Sequence, residues 1–180
     1  MEIVIILGLI FFNGILSMSE IAMVSARKSR LETAAKKGSK TAKTALRLAN
    51  EPDRFLSTIQ IGITLIGILT GLYSGEALAG DLARWLETIG IPQAHSLTLA
   101  KGIIVILVTY LTLILGELVP KHLGMNAPEK IARLIARPME VLSKIASPFV
   151  WLLSASTQAV IRLTGLHTST ENKVTEEEIK

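Results

Sequence analysis

The chain of 180 residues contains no cysteine, which excludes a disulfide framework, thiol catalysis and thiolate metal sites. Aromatic residues are scarce at 4%, and charged residues reach only 19%, against roughly 25% in an ordinary globular chain. That deficit is concentrated in three blocks of about twenty residues, the length needed to cross a bilayer as a helix. With 49% hydrophobic residues and a mean hydropathy of +0.48, the pattern excludes an ordinary soluble domain and predicts an all-α integral membrane protein. The spans use about sixty residues, leaving room for surface helices and a tail but for no second large folded domain. Histidine is rare as well: His95, His122 and His167 show no metal-ligand spacing. No Gly-rich phosphate loop, nucleophile elbow or HExxH motif is present, so the expectation is a protein that is not an enzyme.

The three apolar blocks are Ile3 to Met23, Phe55 to Tyr73 and Gly102 to Pro120, with one, zero and one charged residues. The first lacks the basic start and small-residue cleavage site of a secretory signal and is expected to remain as a span. A fourth stretch, 145–161, is uncharged but is interrupted by Pro148 and diluted with Ser, Thr and Gln. It is read as lying in or near the interface, at the lower length limit for a span. The net charge of +4 reports topology rather than nucleic-acid binding, because the basic residues flank the spans. Nine Lys and Arg lie from Arg27 to Arg54, two between the second and third spans (Arg84 and Lys101), and eight after the third. The positive-inside rule then places the N-terminus outside and the C-terminus in the cytoplasm.

Between the second and third spans, Leu78, Leu82, Trp85, Leu86 and Ile89 form a helical stripe ended by Gly90 and Pro92, which predicts a short amphipathic helix on the outer surface. After the third span, Asn126-Ala127-Pro128-Glu129 reads as a helix start. Juxtamembrane helices are expected over about 126–166, kinked at Pro138, with Ile131, Leu134, Ile135, Val141, Leu142 and Ile145 opposite Lys130, Arg133 and Arg137. The apolar face has two readings, burial in lipid or packing on its own protein. Residues 1–166 thus form the transmembrane domain. The polar and acidic segment 167–180 reads as a linker or a simple tail.

Ionisable groups inside a span are costly, so Glu20 and Glu117 carry the most weight. Each lies three residues before the inner end of its span, roughly 5 Å inside the cytoplasmic edge at about 1.5 Å per residue. Ser57, Gln60 and Thr64 of the second span occupy comparable or slightly greater depth. Ser17 and Glu20 share one helix face, as do Gln60 and Thr64. If the faces meet, hydroxyl, amide and carboxylate oxygens converge without nitrogen or sulfur ligands, a set suited to magnesium, calcium or sodium. Pro120 has no N–H for the Gly116 carbonyl, leaving that oxygen free for a water or an ion. The competing reading is a glutamate that snorkels to water, with hydroxyls bonded to their own helices. Gly67 and Gly71, followed by Gly75, have small-xxx-small spacing and read as helix-packing positions, within the domain or across a dimer.

Three blocks carry a family likeness. Ser17-Met18-Ser19-Glu20-Ile21-Ala22 resembles the Ser-x-Ser-Glu-x-Ala signature in the first span of the CorC/CNNM magnesium transporters, once labelled hemolysin-like. Thr58-Ile59-Gln60-Ile61-Gly62-Ile63-Thr64-Leu65 resembles the second-span motif of that family, and Gly116-Glu117-Leu118-Val119-Pro120-Lys121 its Gly-Glu-x-x-Pro-Lys motif. The resemblance implies a homodimeric three-span domain in the plasma (inner) membrane, followed by cytosolic CBS modules that bind adenine nucleotides. It further implies Mg2+ as the transported ion and Na+ as the coupling ion. The ligand roles would fall on Ser17 or Ser19, on Thr64 with Gln60, and on Glu117, with Glu20 as ligand or support. Gly62, Gly67, Gly71, Pro120 and Lys121 belong to the structural motif. One departure stands out: Ile63 and Gly67 lie near positions where many members carry asparagines that contribute to the cation site. The rival expectations are a non-transporting magnesium sensor that anchors nucleotide-binding modules and, on the older label, a membrane-damaging protein.

Overall fold

The computed structural model describes residues 1–163, so the expected linker 167–180 lies outside the described residues. The described chain is all-helical: α1 (Glu2–Ser25), α2 (Lys28–Lys36), α3 (Lys40–Asn50), α4 (Pro52–Ala77), α5 (Ala79–Thr88), α6 (Gln93–Leu113), a π-helical turn (Ile114–Leu118), α7 (Val119–Asn126) and α8 (Pro128–Leu163). Among these residues, three helical segments are long and apolar enough to cross a membrane. They begin at Glu2, Pro52 and Gln93 and contain the three blocks read from the sequence. The protein is therefore a multi-pass membrane protein.

Proline and glycine punctuate the fold where the backbone requires them. Pro52 opens α4 and Pro128 opens α8, positions at which the missing N–H has no helical partner to lose. Gly38 (φ +92°) and Gly90 (φ +99°) end α2 and α5 in the left-handed conformation that side chains disfavour. Ser39 caps α3 by accepting a hydrogen bond from the Ala42 N–H at 3.3 Å, so the basic connection 24–54 is itself a helical hairpin.

Two compact units divide the chain, at Ala146 and Ser147. In the first, α1 packs on α4, on α7 and on the π turn. Its main apolar core joins Leu16 and Met23 of α1, Leu31 of α2, Ala45 and Leu48 of α3, Phe55 and Ile59 of α4, and Ala132, Ile135 and Met139 of α8. The start of α8 thus packs on its own protein, while Leu134, Val141 and Ile145 remain exposed on its other side. A second cluster joins Ile6 and Ile10 to Ile104 and Val108 of α6. The predicted surface helix is α5, which buries Ala79, Ala83 and Leu86 against α6 and leaves Trp85 and Ile89 exposed. Ser96, itself buried, donates to the Glu87 carboxylate at 2.8 Å and ties these two helices together. The second unit is described only as the helical residues 147–163, in which the Ser156 hydroxyl donates to the Leu152 carbonyl at 2.8 Å. Neither Pro138 nor Pro148 ends α8.

Candidate functional site

The site is built where α1 meets the broken part of the third span. Pro120 cannot donate to a carbonyl four or five residues earlier, and the helix adjusts just before it. Val119 donates its N–H five residues back to the Ile114 carbonyl, forming the π turn that holds Gly116 and Glu117. The Gly116 carbonyl, expected to be free, instead accepts a hydrogen bond from Asn13 Nδ2 at 3.0 Å. Close approach makes this bond possible. A Cβ on Gly14 would stand 2.9 Å from Pro120 Cγ and 3.1 Å from the Leu115 carbonyl oxygen, and one on Gly124 only 2.3 Å from Ile21 Cγ2. Glycines therefore let α1 and the third span pack nearly backbone to backbone.

Two oxygens beside this contact are buried without a partner: Asn13 Oδ1 and Ser17 Oγ, one helical turn apart on α1. A buried polar atom left unsatisfied costs about 1–3 kcal/mol, so both are poised to accept a bond from water or to coordinate a cation. Ser19 is equally buried, but its hydroxyl donates to the Ile15 carbonyl of its own helix at 2.6 Å. Below them lies an ion triad. Lys121 Nζ is 2.7 Å from Glu117 Oε1 and 4.0 Å from Glu20 Oε2, and all three side chains are partly exposed. Two carboxylates and one ammonium leave one formal negative charge. Glu117 and Lys121 are four residues apart across the π turn, and Glu20 joins them from α1.

The second span contributes differently from the expected layer. Phe55, Ile59 and Ile66 form its buried stripe, and a Cβ on Gly62 would stand 2.6 Å from Leu16 Cδ1. Gln60 and Thr64 are exposed, rotated from Ile59 by roughly 100–140° at 3.6 residues per turn. The buried hydroxyls on α4 are instead those of Thr58, Thr70 and Ser74, which donate to the Arg54, Ile66 and Gly71 carbonyls of the same helix at 2.8, 2.7 and 3.1 Å. Gly67 and Gly71 face open space, with no atom within 4 Å of an added Cβ. The structure thus gathers Ser17, Glu20, Gly116, Glu117, Pro120 and Lys121 at one seam, leaving Gln60 and Thr64 exposed. Sequence reasoning did not single out Asn13 as a site residue. Its signal was available, since Asn13, Ser17 and Glu20 follow an i, i+4, i+7 spacing that puts an amide, a hydroxyl and a carboxylate on one face. Among the described residues, no group of three or more His, Asp or Glu side chains is arranged to hold a metal. Any cation bound here would meet amide, hydroxyl and carboxylate oxygens rather than an acidic cage.

Three apolar spans and a π turn beside buried, unpartnered polar atoms define a polytopic membrane protein with a polar seam between α1 and its third span. The chain belongs to the Cyclin M transmembrane N-terminal domain family, which it matches over residues 4–180. It is similar to the UPF0053 protein sll0260 of Synechocystis sp., with 47% identity over 180 residues, covering 100% of this chain and 40% of that protein. The UPF0053 protein YhdT of Bacillus subtilis is 31% identical over 171 residues, covering 95% of this chain and 37% of the relative. The polyamine export protein of Escherichia coli K12 is 29% identical over 178 residues, covering 99% of this chain and 40% of the relative. The chain thus spans about two fifths of the length of these relatives. Among these relatives, the Escherichia coli protein is one whose name states an export role.

Proposed function

We propose that the protein is a cation transporter that exports Mg2+, binding it at the seam between α1 and the π turn. The observation that carries this reading is the pair of buried, unpartnered oxygens on Asn13 and Ser17, beside a carboxylate pair with one excess negative charge. Magnesium sheds water reluctantly and demands near-octahedral oxygen ligands, so a few protein oxygens with retained waters suit it better than a dedicated protein cage. Glu117 supplies the main charge. Lys121 acts as the resident counter-ion that neutralises Glu117 while the site is empty and swings away when the cation arrives. Ser17, Asn13 and Glu20 complete the shell.

The wider reading places the protein as a homodimer in the plasma (inner) membrane, surrounded by lipid, with N-terminus outside and basic loops in the cytoplasm. Sodium entry drives export. Adenine-nucleotide-binding CBS modules follow the chain, in keeping with relatives that extend well beyond the matched region. The test is Mg2+ flux in vesicles containing the full-length protein, with and without a sodium gradient, beside Glu117→Ala. Sodium-dependent flux that disappears in the variant is the expected result. Undiminished flux in Glu117→Ala would remove that residue from the path, and binding without any flux would favour the sensor.

A second reading has its own observation. The carboxylate of Glu117 already holds an alkylammonium, that of Lys121, at 2.7 Å. An organic polyamine presents the same chemical group, and one relative is named a polyamine export protein. Putrescine flux that exceeds Mg2+ flux, and that Mg2+ fails to inhibit, would establish this cargo instead.

A further inference from the structure

The site at the seam accounts for one half of the membrane, and a cation leaving it needs a way through the other. The third span offers one. One helical turn before Gly116, Thr112 Oγ1 is buried without a hydrogen-bond partner. Thr112 lines a cavity of about 220 Å3 between α4 and α6, together with Thr70, Ser74, Thr109, Gly67 and Gly71. A single water needs about 10–15 Å3, so the cavity has room for a cation that keeps part of its hydration. It adjoins a wider opening of about 470 Å3, since Gly71 and Val105 line both. The opening leads away from the basic connection 24–54 and carries Glu76 and Lys101 at its walls.

Four hydroxyls on facing helices at bilayer depth are unusual for a surface that only meets lipid. Two have a local explanation, since Thr70 donates to the Ile66 carbonyl and Ser74 to the Gly71 carbonyl. Both are buried in the cleft wall, whereas Thr109 is exposed and the Thr112 hydroxyl has no partner, so these last two are the oxygens free to accept. Gly67 and Gly71 leave open space where side chains would stand. We infer that the cleft between α4 and α6 is an outward station for the transported cation, in which these hydroxyls replace water ligands and Glu76 marks the mouth. The inference rests on the transporter reading given above.

The absence of cysteine from these 180 residues makes it directly testable, because a single substitution gives the only thiol within them once any cysteine elsewhere in the full-length protein is replaced by serine. Thr109→Cys and Gly71→Cys would be placed in the full-length protein in membranes, beside Ile106→Cys on the exposed apolar side of α6, where Ile106 is 72% accessible. A charged, membrane-impermeant methanethiosulfonate reacts only with a thiol that water reaches and ionises. The expected result is modification of the two cleft thiols at least about tenfold faster than that of Ile106→Cys, slowed by saturating Mg2+. Modification as slow as at Ile106→Cys would overturn the inference. So would oxidation of Thr109→Cys to an interchain disulfide while the reagent is excluded, because a second copy would then fill the cleft. Parallel flux measurements separate the two readings. A reactive, Mg2+-protected cleft without flux keeps the station and removes the transporter, whereas flux with an unreactive cleft keeps the transporter and sends the cation out elsewhere.

Discussion

The third span meets its two neighbours in opposite ways. Against α1 it closes almost to backbone contact, with Gly14, Gly116 and Gly124 each too close to the opposing helix for a side chain to enter without displacement. Against α4 it packs through α6, yet around Gly67 and Gly71 the interface opens onto empty space. The same residue type therefore serves two purposes. At the first seam glycine removes bulk so that Asn13 can reach a backbone carbonyl; at the second it keeps a cleft open between hydroxyls. The contrast sets a close-packed α1–third-span seam, which carries the site, beside a more open interface.

The largest expected effect breaks the close seam. Gly124→Ala puts a methyl group 2.3 Å from Ile21 Cγ2 and 2.8 Å from the Met18 carbonyl oxygen, and the latter is backbone that cannot rotate away. Overpacking of this kind costs about 1–3 kcal/mol, so thermal unfolding in detergent should show a clearly lowered midpoint. In Gly67→Ala or Gly71→Ala the midpoint should stay or rise, since alanine is favoured over glycine by up to about 1 kcal/mol in a helix. A loss of stability at Gly71 equal to that at Gly124 would show that the two seams are alike.

Next in size is the difference between two neighbours on α1. Asn13→Leu removes a donor to the Gly116 carbonyl, at a turn where Pro120 supplies none, and should destabilise by about 1–3 kcal/mol. Ser17→Ala removes an oxygen that has no partner, so the protein should be no less stable while Mg2+ transport falls. Measuring unfolding and flux on both variants separates a residue that holds the seam from one that serves the cargo. If Ser17→Ala lost stability and kept full flux, the assignments would be reversed.

How much of this was readable in advance follows from which forces are local. The spans were legible because length and apolarity suffice for them, and α5 because Gly90 and Pro92 end a regular stripe. Pro120 correctly marked Gly116 as a broken point. The partner that repairs it, Asn13, lies 103 residues away and is brought there only by packing. The rotation of α4 was not legible either. Gln60 and Thr64 share a face, but the spacing does not say which face meets α1, and the bulk of Phe55, Ile59 and Ile66 decides it. The hairpin of α2 and α3 was hidden by its charge, although Gly38 followed by Ser39 is an end and a cap in sequence. Gly67 and Gly71 have the spacing of packed helices, and their open surroundings within the chain set aside packing inside the domain while leaving the dimer reading as it stood.

The smallest effect lies outside both seams and tests whether their difference is intrinsic to the membrane part. Glu140 of α8 accepts hydrogen bonds from Lys144, at 3.1 Å, and from Arg47 of α3. The Lys144 bond first, then the attraction of Arg47, holds the Glu140 carboxyl below its ordinary value of 4.5. A lowered folded value means that this clamp contributes its full stability above the unfolded carboxyl range and loses it as pH falls through the folded value. Unfolding followed from pH 7 downward should therefore show a small acid loss that Glu140→Gln lacks, since exposed pairs contribute little. Thiol modification of Gly71→Cys, compared at one pH between the chain with Glu140 and the chain with Glu140→Gln, should not change. A faster reaction in the Gln variant would mean that the contact of α3 with α8 holds the cleft shut, and the openness of the α4–α6 interface would then be controlled from the membrane surface rather than by its own glycines.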